Sequence, residues 1–219
     1  MIGRFAASIR GGVPGGASFG GGTKIVVFVN DFRAPIIDTE CADSVDNVQQ
    51  MDTFISQTVV AHVDSHYLTI ARAAARAVTG FSEGGYCAAI LALRHPTVFG
   101  TSIPFSGYFW AGGGNDTSKL PFGGNASLLV AASPMVVATQ LPAAERAKLF
   151  FIVVADPGQP NYGFQATEFE HLLAIEGYPY VALDAELPHG WDQVRHEFPI
   201  ALETWAGRLV ATGVFSVDG

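Results

Sequence analysis

Short runs of consecutive apolar residues alternate along this chain with longer segments whose apolar positions recur every three or four residues. The runs IVVFV (25–29) and LFFIVV (149–154) are apolar throughout, as expected of strands covered on both faces of a sheet. Strands are predicted at Lys24–Asn30, Arg76–Thr79, Thr101–Phe105, Leu149–Ala155 and Tyr178–Asp184. Helices are predicted between them at Val48–His66, Glu83–Arg94, Phe164–Glu176 and Trp191–Leu209. In the last of these Val194, Phe198, Leu202, Trp205 and Leu209 share one helical face. Pro96 closes the second, because proline cannot continue the hydrogen-bond ladder. Strand and helix in alternation predict an α/β fold: a three-layer sandwich around a mainly parallel sheet, with chemistry at the carboxyl ends of the strands. Seven of the twelve residues from Gly11 to Gly22 are glycine, so residues 1–22 read as a loop or linker and 23–219 as one α/β domain.

Composition narrows the partners. With 49% hydrophobic and 15% charged residues the chain carries enough apolar surface for a large core. A net charge of -8 disfavours nucleic acid and anionic membrane surfaces. No apolar run approaches the roughly 18 residues of a membrane span, and Met1–Arg10 lacks a signal-peptide core, so a soluble chain without membrane insertion is expected. Cys41 and Cys87 have neither the number nor the spacing of a disulfide framework or a zinc site. Cys87 reads as a small core residue, and no metal or cofactor is expected.

The string Gly80-Phe81-Ser82-Glu83-Gly84 stands between a predicted strand and a predicted helix. It has the Gly-x-Ser-x-Gly spacing of a nucleophile elbow, a strained turn that lifts a serine hydroxyl above the sheet, with glycines expected to relieve collisions at 80 and 84. The helix opening there lets the Glu83 amide face an oxyanion. A serine needs a base. Of six histidines, His62, His66, His95, His171 and His196 fall on predicted helices or their ends. His189 stands in the loop between the last strand and the last helix, where it can reach the elbow. Asp156, directly after the Leu149–Ala155 strand, is the expected acid, with Glu168, Glu170 and Asp184 in reserve and an Asp-Pro-Gly turn as its alternative role. Asp38 after the first strand, Tyr108 and Trp110 after the third, and Trp191 beside His189 are the expected pocket residues, with packing and loop hydrogen bonds as the competing role.

The pieces DTEC, ARAVTGFSEGGYCAAILALRHPTVFG and FSGYF, and more weakly HGW onward, resemble the esterase family of α/β hydrolases that includes esterase D-like enzymes, feruloyl esterases and antigen 85 mycolyltransferases, and are similar to its actinobacterial members. The resemblance implies the α/β-hydrolase fold and a Ser82, Asp156, His189 triad acting on small or polymeric carboxylic esters through an acyl-enzyme. Family members begin with further strands and a loop that donates a second oxyanion amide. Here one predicted strand precedes the Val48 helix, so either a fold shortened at its amino end or a fragment of a longer protein is expected, with the backbone near Asp31 and Phe32 as second donor. A sheet edge bared in this way favours a homo-oligomer. Acyl transfer to an alcohol, or a non-catalytic binding domain, are the alternatives. Location is open between the cytoplasm and a domain outside the membrane.

Overall fold

The computed structural model describes residues 24–30, 38–113 and 118–215. Four parallel strands, β1 (Ala77–Phe81), β2 (Thr101–Phe105), β3 (Phe150–Ala155) and β4 (Tyr180–Asp184), pair in sequence order. Parallel neighbours require a crossover, and helices supply each one. A helical run, α1, leads into β1 as Met51–Thr53, a π-helical stretch Phe54–Val59 and Val60–His66. Then follow α2 (Glu83–Arg94), α3 (Ala126–Ala131), α4 (Pro134–Gln140), α5 (Ala143–Arg146), α6 (Tyr162–Glu176) and α7 (Trp191–Ala211).

Every residue of β3 is buried. Phe151, Val153 and Ala155 turn into a cluster with Tyr86, Ile90, Phe169 and Leu173, which covers one face of the sheet with α2 and α6. Phe150, Ile152 and Val154 pack on the other face with Ile103, Phe105 and Ala201, backed by Phe198 and Trp205 of α7. Two-sided burial is why this run shows no polar alternation.

β2 and α2 span the residues predicted for them, and β1, β3, β4, α6 and α7 lie within three residues of theirs. Three expectations are corrected. Residues 24–30 have no regular secondary structure, and Ile25 and Phe28 are 42% and 68% exposed. Apolar, β-branched residues can occupy a strand, yet a strand exists only where a neighbour pairs with it. The short helices α3, α4 and α5 fill a stretch for which no element was predicted; each is too brief for a helical period to declare itself, although Asn125 caps α3 by accepting from Ser127 N and Leu128 N. Finally, Cys41 and Cys87 form a disulfide, with Cα atoms 5.5 Å apart across 46 residues of sequence. The spacing of two cysteines says nothing about the folded distance between them.

The disulfide pins the turn Asp38–Cys41 against α2. Asp38, Thr39 and Glu40 are all fully buried there. Asp38 accepts from Glu40 N (3.0 Å) and Ser118 Oγ (3.0 Å), and Glu40 accepts from Gly112 N (3.0 Å) and Tyr108 Oη (3.3 Å). Among the described residues the second Glu40 oxygen, Oε2, is buried without a hydrogen-bond partner. Burial first, and the Asp38 charge second, push the Glu40 carboxyl up to about 7.

Candidate active site

β1 runs straight into Ser82, which sits at φ 59° and ψ -115° before the first residue of α2. A non-glycine residue in this region costs on the order of 1–3 kcal/mol. The surroundings hold it there: Ser82 N donates to Phe105 O (3.0 Å), and Ser82 O accepts from Gly85 N (3.0 Å) and Tyr86 N (3.1 Å). A Cβ on Gly80 would lie 2.3 Å from Gly84 O, and one on Gly85 would lie 2.8 Å from Gly107 Cα. At Gly84 a Cβ would meet nothing within 4 Å. The backbone approaches that demand glycine are therefore at 80 and 85. The expectation for 84 is corrected, because α2 turns that position toward open space.

His189 lies in the loop from β4 to α7. Its ring stacks on Tyr162 with centroids 3.7 Å apart and planes 7° from parallel, and meets Phe81 at 4.5 Å with a 32° tilt. Phe81 immediately precedes Ser82, so the imidazole stands beside the elbow. Trp191 packs on the same Phe81 ring at 5.1 Å. Among the described residues Nδ1 of His189 is buried without a hydrogen-bond partner, and burial lowers the imidazole pKa from its ordinary value. The loop is fastened by Gln193, fully buried, which donates to Leu187 O (2.7 Å) and accepts from Ser106 Oγ (2.6 Å) at the end of β2.

Asp156 follows β3 at the same edge, and its Oδ1 accepts from Gly158 N (2.8 Å), closing a turn. Among the described residues no hydrogen bond joins Ser82, His189 and Asp156. Glu170 and Asp184 interact with each other; burial, then the Asp184 charge, push the Glu170 carboxyl up to about 7. Glu168 lies half-buried on α6. Glu83 is buried at the start of α2, whose opening N–H groups carry the positive end of the helix dipole. Phe32, expected to donate a second oxyanion amide, lies outside the described residues.

Of the expected pocket residues, Trp110 and Trp191 are 43% and 64% exposed at the carboxyl edge. Gln165 of α6 accepts from Trp110 N (3.1 Å) and Phe109 N (2.8 Å), which sets Trp110 near the start of that helix. Tyr108 and Asp38 are placed differently: both are buried, Tyr108 stacked on Tyr86 at 4.9 Å, so neither offers a surface to a ligand. Tyr162, Phe81 and the exposed Phe164 were not singled out from sequence. The available signal for Tyr162 was its place as the first aromatic after the Asp156 turn. A half-open cavity of about 470 Å³ lies at the opposite, amino end of the strands, between Thr101, Phe150 and Arg208, away from this site.

Residues 27–158, more than half of the chain, match the family model described as "Putative esterase". No curated protein sequence matches the chain. Among solved structures, FphF, a fluorophosphonate-binding serine hydrolase of Staphylococcus aureus, aligns with a TM-score of 0.66 at 16% identity, covering 77% of this chain and 68% of that one. A ferulic acid esterase aligns with a TM-score of 0.62 at 16% identity over 73% and 61%. MPT51 of Mycobacterium tuberculosis aligns with a TM-score of 0.58 at 18% identity over 78% and 73%. The chain thus spans about three fifths of the ferulic acid esterase, and these likenesses describe its fold.

Proposed function

The chain belongs to the esterase family of α/β hydrolases, and from that premise we propose that it is a serine hydrolase cleaving carboxylic esters, with Ser82 as nucleophile and His189 as base. The observation that carries this is Ser82 at positive φ on a strand-to-helix turn, with the imidazole of His189 against the preceding Phe81. Ser82 Oγ bonds to the ester carbonyl carbon while its proton passes to His189 Nε2. The tetrahedral oxyanion forms before the first turn of α2, where the Glu83 N–H stabilises it. When the intermediate collapses, the carbon–oxygen bond to the alcohol breaks and the alcohol leaves with the proton from His189. Water then attacks the acyl-Ser82 carbonyl by the same route and releases the acid. Lowering the imidazole pKa by burial keeps the base neutral and ready to accept a proton.

Asp156 is the proposed acid. Its Oδ1 is engaged by Gly158 N, so service to His189 Nδ1 falls to the other oxygen or to a side-chain rotation on substrate binding. Trp110 and Trp191 are the proposed walls for the acyl or alcohol group. No helix among the described residues is long and apolar enough to cross a membrane. The Cys41–Cys87 disulfide supports work in an oxidising compartment.

Hydrolysis of p-nitrophenyl butyrate by the protein and by Ser82→Ala tests the reading. A loss of at least about 1000-fold in Ser82→Ala is expected, with one phosphonate adduct on Ser82 by intact mass. Equal rates in the two proteins would refute it. The unbonded Nδ1 of His189 favours a second reading, a binding domain without catalysis; absence of both turnover and adduct would select it.

A further inference from the structure

An imidazole that works as a base needs its ring plane fixed and its protonated form stabilised at the moment the nucleophile loses its proton. A carboxylate on Nδ1 does both in a triad. Here, among the described residues, Nδ1 of His189 is buried with no hydrogen-bond partner, and the Asp156 carboxylate accepts from Gly158 N in its own turn. Two aromatic rings pack on the imidazole. Tyr162 covers one face at 3.7 Å, nearly parallel, and Phe81 approaches at 4.5 Å. Both rings come from fixed elements: Phe81 ends β1 and Tyr162 opens α6, where it packs on the main core cluster.

We propose that Tyr162 is a positioning residue for His189, its ring face fixing the imidazole plane and stabilising the imidazolium formed when Ser82 gives up its proton. The inference rests on the hydrolase reading above. The face of an aromatic ring is electron-rich, so it attracts a cation more strongly than a neutral imidazole. Stacking is thus strengthened as the proton crosses from Ser82 Oγ to His189 and Oγ bonds to the acyl carbon. An interaction that grows toward the transition state raises kcat rather than lowering KM. The phenolic hydroxyl has no part in this, and a phenylalanine ring serves equally.

The test compares Tyr162→Leu and Tyr162→Phe with the unaltered protein on p-nitrophenyl butyrate, beside the urea midpoint of each. Tyr162→Leu is expected to lose about 3- to 30-fold in kcat with KM within about 2-fold. Tyr162→Phe is expected to keep kcat within about 2-fold. The ring protons of His189 provide a second measurement: their upfield ring-current shift in proton NMR should persist in Tyr162→Phe and vanish in Tyr162→Leu. Tyr162→Leu retaining full kcat in a folded protein with Ser82-dependent turnover would overturn the proposal. So would a change confined to KM, which marks a substrate contact, or a Tyr162→Phe variant as impaired as Tyr162→Leu. If Ser82-dependent turnover is absent while the ring-current shift is present, the hydrolase reading fails and the catalytic role of Tyr162 falls with it. Absence of the shift in the unaltered protein would overturn the stacking on its own.

Discussion

Replacing Cys41 and Cys87 by alanine removes a covalent tie between the buried Asp38–Cys41 turn and α2, the helix that begins at the elbow. The two residues are 46 apart in sequence. Closing a loop of that size takes about 13 cal/mol/K of entropy from the unfolded chain, or about 4 kcal/mol at room temperature. Both sulfur sites are buried, Cys41 completely and Cys87 to within 5%, so each truncation adds about 1 kcal/mol for the atom removed. Either single variant loses the whole cross-link, giving about 5 kcal/mol, and the double variant should reach about 6 kcal/mol instead of the roughly 10 kcal/mol of additivity. Urea unfolding without reductant, with free thiols alkylated, reads these values. The unaltered protein in reductant should fall by about 4 kcal/mol, while the double variant should not respond to reductant. In thermal melts the cross-link corresponds to about 8–16 °C for a chain of this size. A double variant within about 1 kcal/mol of the oxidised protein, or single losses that simply add, would refute the reasoning.

Two further outcomes follow from the elbow and its support. Glu40 is raised from 4.5 to about 7 in the folded protein, so the folded state holds a proton that the unfolded chain releases. That contribution is complete below about 4.5 and is lost as pH rises through about 7, spanning about 3 kcal/mol. Glu40→Gln should flatten the fall in urea-unfolding free energy between pH 5 and 8, leaving the fall that Glu170, shifted in the same direction, contributes and the opposing rise from His189, whose pKa burial lowers; an unchanged slope would refute the assignment. At the elbow, Gly80→Ala drives a Cβ into Gly84 O and should cost about 3 kcal/mol or more. Gly84→Ala enters open space on a helix and should stabilise by about 0.5–1 kcal/mol; thermal melts showing equal losses would contradict this geometry.

The parts of the fold legible in the sequence were those whose signal is local. β2 and β3 read correctly because strands buried on both faces must be apolar at every position, and α2 because Ser82 and Pro96 bracket it. The elbow was legible because a strained turn restricts its neighbours, although Gly85, not Gly84, proved to be the second glycine in close contact. Residues 24–30 misled for the complementary reason: β propensity describes a residue and pairing belongs to its neighbour.

The sequence by itself determined the α/β alternation, the carboxyl edge as the place of the candidate site, and Ser82 and His189 as the residues to place there. Only the tertiary structure decided the rest. It joined Cys41 to Cys87, buried Asp38 and Tyr108 in the support of the elbow helix, turned Asp156 onto Gly158, and laid Tyr162 on His189. Backbone preference and periodic burial are written over a few adjacent residues, whereas partners 46 or 27 positions apart meet only when strands and helices pack, and no short stretch carries that distance.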